Sequence, residues 1–221
     1  MAFVPVCGRG LFYFSERKMS VSATWIDLTS CIRYQRFTVS PLSAEVVLLE
    51  GQKHLWLFDV GSSPDVLRQL QELPKKPRII LSHFHPDHMA NWSKLDWDEL
   101  YVGNYTFEKT GCGTIVNKPI YIDDGLQLQI FPFPSSHAKG SLALEVDETY
   151  LLLGDGIYSK AKQGRPAYNV TLLKEGIDLL KRSKAPWLLL SHADPFLQRK
   201  EDVLEIMEEN PYIFPVPYYM D

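Results

Sequence analysis

Apolar residues run along this chain in short bursts, and the spacing inside each burst separates strands from helices. AEVVLLEGQKHLWLFDVGSS holds two apolar runs around Glu50-Gly51-Gln52-Lys53 and predicts a hairpin ending at Asp59. Upstream, GLFYF, SATWIDL and CIRYQRF are short and rich in aromatic and β-branched residues, as strands are. Helical spacing then takes over: Val66, Leu67, Leu70 and Leu73 follow a Ser62-Ser63-Pro64 start signal. A buried strand is expected over Arg78 to Leu81, a short helix near Met89 to Leu95 and a strand at ELYVG, while 104–118 fits neither period.

PIYIDDGLQLQIFPF reads as two strands, and SLALEVDETYLLLG as a hairpin turned at Asp147-Glu148. Val170, Leu172, Leu173, Ile177, Leu179 and Leu180 form the apolar face of a helix between Tyr168 and Ala185. WLLL is a buried strand running into His192, and Lys200 to Glu209 is a last amphipathic helix before the aromatic tail PYIFPVPYYM. With no linker, repeat or low-complexity run, the pattern predicts one domain over residues 1–221, built from two sheets flanked by helices.

Composition narrows the class. Apolar content of 45% and charged content of 23% are ordinary for a globular chain that buries a substantial core. The net charge of -4 argues against nucleic-acid binding through bulk electrostatics and leaves a local basic groove open. Cys7, Cys31 and Cys112 are odd in number and far apart, which fits free thiols in a reducing cytoplasm rather than a disulfide framework or a CxxC site. The N-terminus lacks the pattern of a signal peptide, and no apolar run is long enough for a membrane span, so a cytoplasmic protein without a membrane segment is expected.

The candidate chemistry sits where the strands end. LWLF leads to Asp59, RIIL to His83 and His85, IFPFPSS to His137, YLLLG to Asp155 and WLLLS to His192. SHFHPDH places three of the chain's six histidines in six consecutive positions. In an extended segment His83 and His85 point the same way and can reach one metal ion, and Pro86 turns the chain so that Asp87 and His88 aim at a second. Imidazole nitrogens with a few carboxylate oxygens suit zinc first and admit manganese or iron. Two neighbouring cations need a bridging anion, which Asp155 can supply, although an aspartate in a Gly-Asp-Gly turn is usually only a turn residue. His54, in a polar hairpin, is expected at the surface.

His83-Phe84-His85-Pro86-Asp87-His88 resembles the HxHxDH motif of the metallo-β-lactamase superfamily. His137 in HAKGS, Asp155, His192 and Asp59 in FDVGSS are similar to its later histidine, bridging aspartate, final histidine and upstream DxG turn. The resemblance runs from about Ala44 to Asp194 and implies a four-layer αββα sandwich of two mixed sheets with the site along one rim. It implies one divalent ion on His83, His85 and His137, another on Asp87, His88 and His192, and Asp155 between them. It makes Asp59 an orienting residue. Aspartates at positions 87 and 155 resemble the superfamily's dinuclear hydrolases more than its true β-lactamases, which typically carry a cysteine ligand.

The resemblance further implies a hydroxide bridging the two ions that attacks a small ester, lactone or thioester, with Asp87 and Asp155 in the catalytic centre. Tyr158, three residues after Asp155, is similar in spacing to a tyrosine of the acyl homoserine lactone lactonases that polarises the substrate carbonyl. The thioesterases of the glyoxalase II type and the RNA nucleases rank lower, because their extra domains have no counterpart here. A phosphodiesterase acting on a nucleotide or RNA is the alternative, its basic loop being Lys160, Lys162 and Arg165. A metal-keeping protein without hydrolytic activity is a third reading. Asn91, Trp92, Trp97 and Tyr105 are candidate pocket walls, and the aromatic tail is a candidate homodimer contact.

Overall fold

The structure, a computed structural model, describes residues 24–162 and 165–209. Its strands are β1 (Ile26–Asp27), β2 (Ile32–Gln35), β3 (Thr38–Val39), β4 (Leu42–Ser43), β5 (Val46–Glu50), β6 (Leu55–Phe58), β7 (Pro77–Ile80), β8 (Glu99–Val102) and β9 (Thr114–Ile115), then β10 (Ile120–Asp123), β11 (Gln127–Pro132), β12 (Leu142–Val146), β13 (Tyr150–Gly154), β14 (Lys160–Lys162), β15 (Arg165–Ala167), β16 (Trp187–Leu190) and β17 (Leu197–Arg199). The helices are α1 (Pro64–Gln71), α2 (Pro86–Met89), α3 (Asn104–Thr110), α4 (Val170–Arg182) and α5 (Lys200–Glu209). One sheet has the order β1-β2-β5-β6-β7-β8-β9, the other β10-β11-β12-β13-β16-β17, and β3-β4 and β14-β15 are separate hairpins.

Side-chain alternation explains the layers. Val47, Leu49, Trp56, Phe58 and Ile80 of the first sheet meet Leu128, Ile130, Leu144, Leu152 and Leu189 of the second in one buried cluster. Their neighbours Val46, Leu48, Leu57, Ile79 and Leu81 point the opposite way, onto Val66 and Leu70 of α1. Leu151, Leu153, Leu188 and Leu190 likewise face Leu180 of α4 and Val203 of α5. A strand covered on both faces has no polar side to show, which is why these strands read as unbroken apolar runs. The result is the expected αββα sandwich, and each full leucine burial contributes roughly 1.5–3 kcal/mol.

Local signals set the connections. Ser63 caps α1 by accepting from the Asp65 N–H, with Pro64 in the first turn, and α1 carries the chain between the parallel strands β6 and β7. Asn169 caps α4, the crossover between parallel β13 and β16, by accepting from the Thr171 and Leu172 N–H groups. Asp147 and Glu148 turn the β12–β13 hairpin with positive φ.

Some boundaries differ from expectation. The helix expected near Met89 to Leu95 begins earlier, at Pro86, and a 3-10 turn over Trp92–Lys94 follows it, because Pro86 is pre-set for a first helical turn. The stretch without a sequence assignment holds α3, stopped by Gly111 at φ 67, and β9. His54 is half-buried rather than fully at the surface, since Asp124 accepts from its backbone N–H at 3.1 Å and lies 3.2 Å from its Nδ1. GLFYF, Cys7 and the aromatic tail lie outside the described residues, and Cys31 and Cys112 are free thiols. Among the described residues no helix is long and apolar enough to cross a membrane.

Candidate metal centre

Four strand ends and one helix start converge here. β6 leads into Asp59, β7 into Ser82 and His83, β13 into Asp155 and β16 into His192. Pro86 at the start of α2 redirects the chain and brings the His88 ring beside that of His83, centroids 4.1 Å apart. His137 comes from the loop after β11.

The donors fall into two groups whose ligand atoms lie within 4.8 Å of one another: His83, His85, His137 and Asp155, and Asp87, His88, His192 and Asp155. Asp155 belongs to both. His137 Nε2 stands 3.2 Å from its Oδ2, His88 Nε2 3.4 Å from the same oxygen, and His192 Nε2 3.8 Å from Oδ1. His137 Nε2 lies 3.0 Å from His85 Nδ1, and His192 Nε2 3.0 Å from Asp87 Oδ2.

His83 Nε2, His88 Nε2 and both Asp155 oxygens are buried without a hydrogen-bond partner among the described residues. Buried polar atoms are ordinarily paired, and a set of orphans aimed at one place fits cations that would satisfy them. The donor set, imidazole nitrogen and carboxylate oxygen, fits divalent zinc, manganese or iron.

Charge within the cluster is strongly coupled. Burial alone would strip His88 of its proton, but the carboxylates of Asp155, Asp59 and Asp87 hold that proton well above the usual histidine range. Burial works against the charge on Asp155 too, and His88, His137 and His192 keep its pKa well below the usual carboxylate range. His83 is pushed far down by burial, with the charge of His88 adding to the effect. His85 falls to about 4, through burial first and then His137 and His88.

Behind the donors stands a supporting layer. Asp59 Oδ2 accepts from His88 Nδ1 at 2.7 Å, and Asp59 accepts both the N–H and the hydroxyl of Ser82 at 2.7 Å. His137 Nδ1 donates to the Ser159 carbonyl at 3.1 Å. With Nδ1 held by these partners, Nε2 of each of these two rings is the atom left for a metal ion, which on His88 would have to displace a proton. Gly154, at φ +54, has no room for a side chain, since a Cβ there would sit 2.7 Å from Ser82 Oγ.

Sequence reasoning missed Ser82, Ser159 and Glu45. Glu45 is 2% exposed and accepts the His192 N–H at 2.9 Å, and burial pushes its pKa up to about 7. Its only signal in the sequence was a charge opening the apolar run EVVLL.

Tyr158 is buried, and its hydroxyl donates to the Ser191 carbonyl at 2.6 Å, so its one proton is engaged within the protein. Asn91 is buried and donates to the Val60 and Ser63 carbonyls, tying loops rather than lining a pocket. Trp92 and Trp97 meet with tilted rings, centroids 6.4 Å apart, and pack on the outer core of the first sheet. Tyr105 is 39% exposed, with Lys139 Nζ 5.4 Å above its ring. Lys160 and Arg165 are exposed on the β14–β15 hairpin, which begins directly after Ser159.

Known proteins agree with this geometry. The family model of the metallo-beta-lactamase superfamily matches residues 39–96, which include Asp59 and the whole SHFHPDH stretch. A search of curated proteins finds no match. A metallo-beta-lactamase from Pontibacter korlensis superposes with TM-score 0.60 at 14% identity, covering 85% of this chain and 99% of that one. A beta-lactamase domain protein from Burkholderia ambifaria gives 0.62 at 16% identity, over 86% of this chain and 77% of its own. A stereoselective inverting sec-alkylsulfatase from Pseudomonas sp. gives 0.67 at 14% identity, over 87% of this chain and 42% of its own. At such identities the structural likeness establishes the fold. The family match lies on the motif-bearing segment, and the chain shares over most of its length the fold of solved metallo-β-lactamase structures.

Proposed function

We propose that the protein is a dinuclear metal-dependent hydrolase of a small ester, lactone or thioester. The observation that carries this reading is the pair of donor groups sharing Asp155, with buried nitrogens and oxygens that no described residue satisfies. In this reading His83, His85 and His137 hold one ion, Asp87, His88 and His192 the other, and Asp155 both. Zinc is the proposed metal, and the free thiols Cys31 and Cys112 support a reducing cytoplasm as its setting. Bound there, two divalent ions supply a water-derived nucleophile near neutral pH and a Lewis acid for the scissile group.

The chain's own residues do the rest. Asp59 fixes the His88 tautomer, the Ser159 carbonyl fixes that of His137, and Asp155 keeps its charge where two cations need it. Tyr158 can reach a substrate carbonyl only by releasing Ser191.

A phosphodiester substrate is the second reading. Lys160 and Arg165 favour it: they have no ion pair among the described residues, and their hairpin is rooted at Ser159, the partner of His137.

The test compares two hydrolyses on one zinc-loaded preparation, bis(p-nitrophenyl) phosphate and an acyl lactone followed by proton release, in wild type and Asp155→Ala. Lactone turnover lost in the variant supports the first reading, and phosphodiester turnover alone, lost in the same way, supports the second. No turnover of either, or turnover that survives Asp155→Ala, contradicts a dinuclear hydrolase.

A further inference from the structure

Three of the site histidines are steadied through their rings. His88 Nδ1 meets Asp59, His137 Nδ1 meets the Ser159 carbonyl, and His83 Nδ1 lies 3.0 Å from the Ser82 hydroxyl. His192 differs: its Nδ1 is buried and has no hydrogen-bond partner among the described residues. Its ring makes edge contacts with Phe37 and with His88, centroids 5.7 and 5.4 Å apart, and neither contact bonds Nδ1. Its backbone is also unusual, with a left-handed φ of 62 that a residue bearing a Cβ holds only when its surroundings impose it.

The surroundings do impose it, through one peptide group. The carbonyl of Ser191 and the N–H of His192 are the two polar ends of the same amide. Tyr158 donates its hydroxyl to the carbonyl end at 2.6 Å, and Glu45 accepts from the N–H end at 2.9 Å. Both side chains are buried, Tyr158 at 5% and Glu45 at 2% exposure. They come from opposite halves of the sandwich: Glu45 immediately precedes β5 of the first sheet, and Tyr158 follows β13 of the second. The Ser191 N–H adds a bond to the Gly154 carbonyl at 3.1 Å, next to Asp155.

We infer that Glu45 and Tyr158 form a clamp on the 191–192 amide that positions His192 as a ligand of the second ion. The inference rests on the dinuclear reading above and gives Tyr158 a positioning role. Glu45 and Tyr158 take over, through the backbone, the work that Asp59 does for His88 through the ring. Supporting partners of this kind set metal affinity by roughly 10–100-fold.

The test is zinc binding, measured by competition with a chromophoric chelator and counted by native mass spectrometry, in wild type, Glu45→Leu, Glu45→Gln, Tyr158→Phe and the double variant Glu45→Leu/Tyr158→Phe. Glu45→Leu and Tyr158→Phe are each expected to weaken one of the two ions by about 10–100-fold and to leave the other unchanged. Glu45→Gln keeps an oxygen for the His192 N–H and restores binding to near the wild-type level. The double variant loses less than the product of the two single effects, because both act on one amide. Tyr158→Phe keeps the ring packing, so it reports even if Glu45→Leu does not fold. Two ions bound with wild-type affinity in Tyr158→Phe, equal weakening of both ions, or a Glu45→Gln as damaged as Glu45→Leu would each overturn the clamp while leaving the dinuclear reading intact. A wild type that takes up no zinc would overturn that reading, and the clamp with it.

Discussion

Asp59→Asn is nearly isosteric, yet it should disable one metal position. The Asp59 carboxylate does three things with two oxygens: it accepts the Ser82 N–H and the Ser82 hydroxyl, and it accepts from His88 Nδ1. Asparagine has one oxygen and one NH2. If the oxygen stays on the Ser82 N–H, the NH2 faces His88 Nδ1, and His88 must move its proton to Nε2, the atom that faces Asp155 and Asp87. If the amide turns over, two donors oppose each other at the Ser82 N–H in a fully buried place. Either arrangement leaves one buried polar pair unmade, about 1–3 kcal/mol. Charged to metal binding, this is roughly a 5- to 150-fold loss for the ion held by His88. Zinc competition gives the affinity, and the 15N shifts of the His88 ring report which nitrogen carries the proton. Two ions bound with wild-type affinity, with Nδ1 still protonated, would refute the claim that Asp59 sets the tautomer.

Other outcomes follow from the same geometry. Asp155→Ala removes the one carboxylate common to both donor groups, so metal content should fall below two ions per chain and turnover should drop by orders of magnitude, as read by mass spectrometry and initial rates. In the metal-free protein His88 holds its proton well above the ordinary range, and a metal needs the same Nε2. Binding should therefore release about one proton near neutral pH and tighten as pH rises, measurable by calorimetry in buffers of different ionisation enthalpy. An unchanged heat across buffers would contradict this. Far from the site, Asp124 accepts from Trp56 Nε1 at 2.9 Å and from the Lys53 N–H at 2.8 Å. Asp124→Ala should cost about 2–4 kcal/mol and lower the melting temperature by several degrees while leaving the two-ion stoichiometry unchanged. If the β14–β15 hairpin serves an anionic substrate, Lys160→Glu should raise KM for bis(p-nitrophenyl) phosphate and leave KM for a neutral lactone unchanged. An equal effect on both would detach the hairpin from substrate choice.

The αββα layering was legible because strands buried on two faces, such as VVLL, LWLF and YLLLG, print as unbroken apolar runs, and because Ser63-Pro64 is a strong helix start. Of the residues that gather in the two donor groups, most stand out in the sequence at or soon after the end of such a run, and Asp87 and His88 stand out as part of SHFHPDH. What stayed hidden is set by contacts between residues distant in sequence. Glu45 meets His192 across 147 positions, and the Ser159 carbonyl that supports His137 is a backbone atom with no residue type to announce it. Asn91 and Tyr158 look like functional polar groups in the sequence, and only the structure shows that carbonyl oxygens already engage them. The short helix α3 escaped because it is short and begins without a capping side-chain bond.

The most direct measurement of the central claim is the number of zinc ions taken up per chain when metal-stripped wild-type protein is titrated and weighed by native mass spectrometry. Two donor groups joined by Asp155 predict two ions per chain. A titration that saturates at one ion, or at none, would contradict the dinuclear site and the hydrolase built on it.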